Sequence, residues 1–362
     1  MDAFLDTLDK QELIAVDTEF QRETTYYPHL ALVQIATESA VACIDPLAFD
    51  ARPALQKLLL DTNIVKIFHS CSQDLEVLFY YLQDIPSPIY DTQIAYALLN
   101  EHHQAGYATV VEQELGEVLD KSQTRTNWLQ RPLTDKQIKY AADDVTYLYQ
   151  LHAILDEQLI DKDRVNWFQQ ECAALIPREN SFHVDTAKLW QRVKGASKLK
   201  MQQLALVQKI SIWREQLAQQ KDKIRRKILA DDTIIQIAMQ PPEDLASLNL
   251  LITNNYVLKE DLRLTLLELI QNNTDLNKDD YPTNTYIVLD AQQKQLLKTL
   301  QQQVTQKAEQ LGIAAAMLCS RKDLEQLIIA TSDEPLSKLT DPNNWRFDCI
   351  GRALLETLKN AK

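Results

Sequence analysis

Apolar positions change their period along this chain. Leu13-Ile14-Ala15-Val16 is a short apolar run ending in Asp17, the pattern of a buried strand. The runs Leu30 to Ala36 and Val41 to Ile44 are separated by the polar Thr37-Glu38-Ser39, which is hairpin spacing. Helical periodicity over Pro46 to Leu60 and a strand-like run at Ile64 to Phe68 follow. Ser72 is placed to cap a helix through Leu75, Leu78, Phe79 and Leu82. Pro86 and Pro88 break the chain before Ile89-Tyr90, and Asp91-Thr92 opens another helix. Strands alternating with helices in this way predict an α/β domain.

From about residue 93 the pattern turns helical. Thr134 and Gln137 have the spacing of a reciprocal capping box, heading a helix through Ile138, Ala141, Val145 and Leu148. Pro177 to Val184 reads as an irregular connector. Helices are then expected near 199–219, 231–239 and 258–271. After the polar link Asn272 to Thr285, more are expected near 290–310, 313–317, 320–330 and 344–359. The two sets read as a degenerate repeat of one helical module. The expected domains are therefore 1–180, 198–278 and 284–362.

Bulk properties narrow the classes. A chain of 362 residues is too long for one ordinary core and suits two or three domains. The longest apolar runs, such as Leu204 to Val207 and Ile313 to Leu318, are too short to cross a bilayer, and the N-terminus lacks the features of a signal peptide. A cytoplasmic protein with no membrane association is expected. The five cysteines are scattered and form no Cys-x-x-Cys pair, which argues against a disulfide framework and a structural zinc site. With five glycines and no Gly-x-x-x-x-Gly-Lys-Ser/Thr loop, no nucleotide cofactor is expected. Nothing in the composition demands more than a monomer.

The net charge of −13, taken alone, argues against a nucleic-acid partner. Its distribution argues the other way, because Lys198 to Lys227 holds nine basic residues against two acidic ones, net +7. Such a run serves equally as a solvated helix face or as a phosphate-binding surface. Lys221, Lys223, Arg225, Arg226 and Lys227 are its densest part.

Chemistry concentrates in a few places. In Val16-Asp17-Thr18-Glu19-Phe20, the residues i and i+2 of a strand face the same way, so Asp17 and Glu19 project side by side. Two adjacent carboxylates repel one another, and a hard divalent cation resolves the repulsion. Asp74 falls in the first turn of a helix, where the helix dipole favours its ionised form. Tyr140 and Asp144 are i and i+4 on one helix, hence on one face; spacing alone does not choose between Asp144 and its neighbour Asp143. Tyr26 and Tyr27 are either base-stacking aromatics or core residues beside a hairpin.

Several motifs in one order make the pattern specific. Asp-Thr-Glu-Phe, then Tyr-Tyr-Pro and Leu-x-Leu-x-Gln-Ile, resembles the first motif of the DEDD exonuclease superfamily in its ribonuclease D form. His-x-x-x-x-Asp-Leu-Glu-Val (69–77) resembles the second motif, and Tyr-Ala-Ala-x-Asp-Val-x-Tyr-Leu (140–148) the third, in the branch carrying Tyr-x-x-x-Asp. Tyr-Asp-Thr-Gln-Ile (90–94) and Leu-Asp-Lys-Ser-x-x-Arg-Thr-x-Trp-Leu-x-Arg-Pro-Leu (119–133) fit the same pattern, which spans roughly residues 10–155. Trp213-Arg214, the basic stretch to Lys227, Leu229-x-x-Asp232 and Ile237-Ala238 resemble the HRDC helical domain shared by RecQ-type helicases and ribonuclease D. Ser-Arg-Lys-Asp-Leu (320–324) and Trp345-Arg346 resemble a second, more divergent copy.

The resemblance implies a ribonuclease H-like α/β catalytic domain, a mixed sheet flanked by helices, followed by two small all-α HRDC-like domains. It implies a 3′–5′ exoribonuclease that trims tRNA precursors and other structured RNAs to nucleoside 5′-monophosphates. Two Mg²⁺ or Mn²⁺ ions would be held by Asp17, Glu19, Asp74 and Asp144. Tyr140 would orient the attacking water or take its proton. Thr18, Phe20, Tyr26 and His69, in or beside the same motifs, are candidate substrate contacts. The rival readings are a 3′–5′ DNA exonuclease of the same superfamily and a non-catalytic RNA-binding scaffold.

Overall fold

Ile14, Ala15 and Val16 have no exposed surface, so the strand they form, β1 (Leu13–Gln21), is covered on both faces at the middle of a sheet. The computed structural model describes residues 12–176, 182, 184–253, 255, 257–272, 289–330 and 337–361. With β2 (His29–Ala36), β3 (Val41–Ile44), β4 (Val65–Phe68) and β5 (Ile89–Asp91), β1 builds a five-stranded sheet in the order β3-β2-β1-β4-β5. The sheet is mixed, as expected: β2 and β3 pair antiparallel, while β4 runs parallel to both β1 and β5. Helices accompany it, packed on the sheet or on one another: α1 (Arg52–Leu59), α2 (Ser72–Leu82), α3 (Thr92–Ala97), α4 (Tyr107–Leu115), α5 (Asp135–Thr146), α6 (Leu148–Asp161) and α7 (Val165–Leu175).

Two local expectations need correcting. Ser72 is the first residue of α2 and does not cap it; the N-cap is Cys71, whose side chain makes no capping bond. The helix headed by Thr134 does carry its capping box, but it stops at Thr146, and a new helix starts at Leu148.

The chain divides into two compact units. Arg22–His29 and Arg178–Tyr286 form one; Met1–Gln21, Leu30–Pro177 and Ile287–Lys362 form the other. The unit around Arg178–Tyr286 contains a 3₁₀ turn at Thr186–Arg192, then α8 (Met201–Lys221), α9 (Arg225–Ile228), α10 (Asp231–Met239), α11 (Leu245–Leu251) and α12 (Glu260–Gln271). Its core gathers Trp190, Leu204, Val207, Ile210, Ile234 and Ile237, with Tyr26 among them.

The C-terminal helices are α13 (Ala291–Leu311), α14 (Ala315–Leu318), α15 (Arg321–Ile329) and α16 (Arg352–Ala361). They share a continuous hydrophobic core with the sheet domain, so Ile287–Lys362, nearly all of the expected 284–362 domain, joins the unit that holds the sheet. At the junction, Arg346 donates to both Glu171 oxygens (2.5 and 2.8 Å) and to the Met317 carbonyl (2.9 Å). Trp345 stacks on Trp167 at 4.4 Å. Most of the expected connector 177–184 and link 272–285 lies outside the described residues.

A repeat is visible in element lengths. Helices of 21, 4 and 9 residues begin at 201, 225 and 231, and helices of the same lengths begin 90 residues later, at 291, 315 and 321. Both long helices end on a left-handed residue, Gly312 in one and Asp222 in the other (φ 63° and 47°). Glycine takes that conformation without cost and aspartate does not. Asp222 is compensated: its carboxylate accepts the Tyr26 and Tyr27 N–H groups (2.9 and 3.0 Å) and pairs with His29 (3.0 Å). Among the described residues, no helix is long and apolar enough to cross a membrane.

Candidate active site

The alternation of β1 puts Asp17 and Glu19 on one face, and α5, which packs against β1 and β3, brings Asp144 to them. One oxygen from each of these three carboxylates lies within 4.8 Å of the others. Asp74, buried in the first turn of α2, accepts a 2.5 Å hydrogen bond from the Thr18 hydroxyl. It lies outside the tight trio, yet near enough for its charge to act on both Asp17 and Glu19.

Burial pushes every carboxyl in the cluster upward, and repulsion within the cluster adds to it for Asp17 and Glu19. Burial is the leading cause for Asp17, followed by the negative charges of Asp74, Asp144 and Glu19. Glu19 is pushed up to about 9, by burial first and then by Asp144 and Asp74. Burial raises Asp74 to about 7 against the lowering hydrogen bond from Thr18. It raises Asp144 to about 7 against the lowering bond from Tyr140. A fold that gathers four carboxyls, one buried and three half-buried, holds protons or cations there. An all-oxygen acidic donor set fits hard divalent cations of the Mg²⁺ and Mn²⁺ kind.

Tyr140 stands one turn before Asp144 on the same face, its hydroxyl 3.3 Å from that of Thr124 and beside the Asp144 carboxylate. Burial raises its pKa well above the ordinary tyrosine range. The loop carrying Thr124 is stapled by Arg131. That guanidinium binds Asp45 twice (2.6 and 2.8 Å) and donates to the carbonyls of Ala31 and Trp128. Beyond Asp144, Tyr107 donates to the Asp143 carbonyl (3.1 Å) and accepts from the Tyr147 N–H (3.3 Å), fixing the break between α5 and α6.

The other candidates fall in different places. Thr18 is buried and committed to Asp74. Phe20 packs, partly buried, against the core of the sheet domain. Both ring nitrogens of His69 are engaged, Nδ1 with the Thr92 hydroxyl and Nε2 with the Ala105 carbonyl (both 2.9 Å), and burial lowers its pKa toward the neutral form. Tyr26 belongs to the core of the other unit, where its hydroxyl donates to Glu215 and the Arg225 guanidinium lies 5.2 Å from its ring centroid. Tyr26 is only 8% exposed, which leaves little of its ring open to the stacking role considered for it.

Arg225 departs from the expected basic patch for the same reason, since its guanidinium is bound twice by the buried Glu215. Lys221, Arg226 and Lys227 are exposed, and Lys223 is half-buried. Arg226 lines a cleft of about 640 Å³ together with Arg192 and Lys194, two cations that lie outside the dense basic run. Sequence reading missed Tyr107, Thr124 and Arg131 as supports of the site. Two of the three lie in the 119–133 motif, which was visible without its role.

A family model described as 3′–5′ exonuclease matches residues 1–160, and one described as HRDC domain matches residues 203–251. Together with the acidic site, this defines a 3′–5′ exonuclease. Ribonuclease D of Bartonella henselae is 33% identical across 98% of this chain and 87% of its own. Ribonuclease D of Pseudomonas paraeruginosa is 34% identical across 97% and 93%. The crystal structure of Escherichia coli RNase D, described as an exoribonuclease involved in structured RNA processing, covers 99% of this chain and 96% of its own at TM-score 0.88 and 29% identity. The chain belongs to the ribonuclease D family, and its activity is that of a 3′–5′ exoribonuclease.

Proposed function

We propose that Asp17, Glu19, Asp74 and Asp144 hold two divalent cations, Mg²⁺ or Mn²⁺, and that the RNA 3′ end is hydrolysed there to nucleoside 5′-monophosphates. The observation that carries this reading is the meeting of the half-buried Asp17, Glu19 and Asp144 within 4.8 Å, in a setting that resists their ionisation. Bound cations supply an acidified water and neutralise charge on the leaving 3′-oxygen. The chain's own part is positional. Thr18 orients Asp74, and Tyr140, protonated and steadied by Thr124, orients the water rather than taking its proton.

Tyr140→Phe tests that role. We expect kcat to fall about 10²-fold, near the low end for loss of a proton-handling or orienting group. We expect KM to change by less than about twofold. The rate–pH curve should keep its shape, whereas loss of one limb of that curve would make Tyr140 the base.

The substrate class supported by the helical modules is a structured RNA, of which a tRNA precursor with a 3′ extension is the form proposed. The repeat at 90-residue spacing supports reading Ile287–Lys362 as a second HRDC-like module and the domains as about 1–180, 198–278 and 284–362. The site is built from one chain, in keeping with a monomer acting in the cytoplasm.

The cleft holding Arg192, Lys194 and Arg226 is the surface proposed to bind phosphates. Reversing those three to Glu should weaken binding of structured RNA and flatten its salt dependence by about one unit per lost phosphate contact. Hydrolysis of a short oligomer should be spared. Unchanged binding would remove the cleft from the RNA path. Arg225 is left intact in this test because its loss would strand Glu215.

A further inference from the structure

Asp91, at the end of β5, is 1% exposed and pairs with no cation among the described residues. Its carboxylate instead accepts four backbone N–H groups. Oδ1 takes those of Ser70 (3.1 Å), Gln93 (2.9 Å) and Ile94 (3.3 Å), and Oδ2 takes that of Cys71 (2.8 Å). Dispersing the charge over four donors stabilises a buried carboxylate without a counterion.

Two of those bonds are ordinary. Gln93 and Ile94 open α3, and Asp91 is its N-cap. The other two reach across to the turn that ends β4 and begins α2. Ser70 there is left-handed, at φ 66°, a strained conformation for a residue with a Cβ. Cys71 is the N-cap of α2 and gives it no side-chain bond. Asp91 therefore supplies from another strand the acceptors this turn lacks. Thr92 lies beside the same turn, its hydroxyl 3.0 Å from the Phe68 carbonyl and 2.9 Å from His69 Nδ1. Asp74 follows Cys71 by three residues, in the first turn of α2.

We infer that Asp91 is a positioning residue for the exonuclease reaction: it holds the Ser70–Cys71 turn and thereby sets where Asp74 enters the acidic site. The inference rests on reading Asp74 as a cation ligand. A strained turn freed of its acceptors relaxes, and displacement of a ligand by even about 0.5–1 Å spoils a metal site.

The test separates capping from positioning. Asp91→Ser keeps a good N-cap for α3, but its short hydroxyl does not span to Ser70 and Cys71. Asp91→Asn keeps one oxygen and turns an amide NH₂ toward an N–H. Each is assayed for kcat and KM on a short RNA oligomer, for the Mn²⁺ concentration giving half-maximal rate, and for Mn²⁺ binding by calorimetry.

We expect kcat to fall about 10–100-fold and Mn²⁺ binding to weaken by a similar factor, as for other partners that orient metal ligands. RNA KM should stay within about twofold. Adding Ser70→Gly to Asp91→Ser removes the turn's strain and should restore part of kcat. Wild-type kcat and Mn²⁺ binding in either folded variant, with only a lower melting temperature, would overturn the inference and leave Asp91 a cap. If Asp91→Ser does not fold, Asp91→Asn carries the same readouts. Asp74→Asn runs alongside: unchanged Mn²⁺ binding there would defeat the premise about Asp74 rather than the role of Asp91.

Discussion

In the presence of a chelator, the melting temperature of this protein is expected to fall as pH rises from about 5 to about 9, and Asp17→Asn is expected to reduce that fall. The sign follows from the direction of the shifts. Asp74 and Asp144 are pushed up to about 7 and Glu19 to about 9, with burial the main cause in each, and Asp17 is raised as well. In the unfolded chain these groups titrate near about 4. Groups whose folded pKa is raised favour the folded state in their protonated form. That contribution is complete below about pH 4 and is lost as pH climbs through the folded values. The unfolded chain releases its protons first, so each step upward in pH costs stability.

Asp17→Asn removes one charge from the cluster and lets its neighbours ionise more easily. At pH 8 in chelator it should stabilise the fold by on the order of 1–3 kcal/mol, the scale of relieving one unpaired buried charge. For a chain of this size that is roughly 2–4 °C per kcal/mol. Saturating Mn²⁺ should reverse the ranking, because a cation that binds only the folded, deprotonated cluster stabilises the wild type by mass action. Differential scanning calorimetry at pH 5, 7 and 9, with and without Mn²⁺, checks both signs. A wild-type melting temperature indifferent to pH in chelator would mean that the four carboxyls are not desolvated as their placement implies.

Glu171→Ala should be the most destabilising single change at the junction of α7 with the C-terminal helices. Arg346 is 5% exposed, and two of its three nitrogens bind Glu171 while the third binds the Met317 carbonyl. The Trp345 indole also donates to Glu171, at 2.8 Å. Removing Glu171 leaves a guanidinium buried without its counterion, which costs about 3–5 kcal/mol. The sheet domain and the C-terminal helices share one hydrophobic core, so the loss should lower the midpoint of a single transition rather than split it. The double variant Glu171→Ala, Arg346→Met removes the stranded charge and should recover much of the stability. Equal destabilisation in the double and single variants would assign the effect to packing alone.

Much of this molecule was legible in the sequence because the relevant periods are local. The run Leu13 to Val16 gave a central strand, and i, i+2 alternation gave the shared face of Asp17 and Glu19. Thr134 and Gln137 formed the capping box that their spacing implied, and i, i+4 spacing put Tyr140 and Asp144 together. Order among motifs supplied the rest of the family assignment.

What was not legible depends on partners distant in the chain. Tyr26 looked available for stacking until Glu215, 189 residues away, took its hydroxyl. Arg225 looked like part of a free basic run until the same Glu215 neutralised it. Asp91 read only as a helix start, and its bonds to Ser70 and Cys71 come from strand neighbours that no periodicity reveals. The helix stop at Thr146 was hidden because the apolar stripe continues through Leu148 while Tyr107, from α4, occupies the break. Composition gave the net charge of the basic segment but not which of its cations stay exposed.

The most direct test of the account uses a tRNA with a 3′ extension, labelled at its 5′ end, incubated with Mn²⁺ and either the wild-type protein or Asp17→Asn. The wild type is expected to produce a ladder that shortens from the 3′ end, abolished by chelator, with the rate in Asp17→Asn at least about 10²–10³-fold lower, as when an electrostatic stabiliser of the reaction is removed. Trimming that persists at the wild-type rate in Asp17→Asn, or in the presence of chelator, would contradict the assignment of the acidic cluster as the place where RNA is cut.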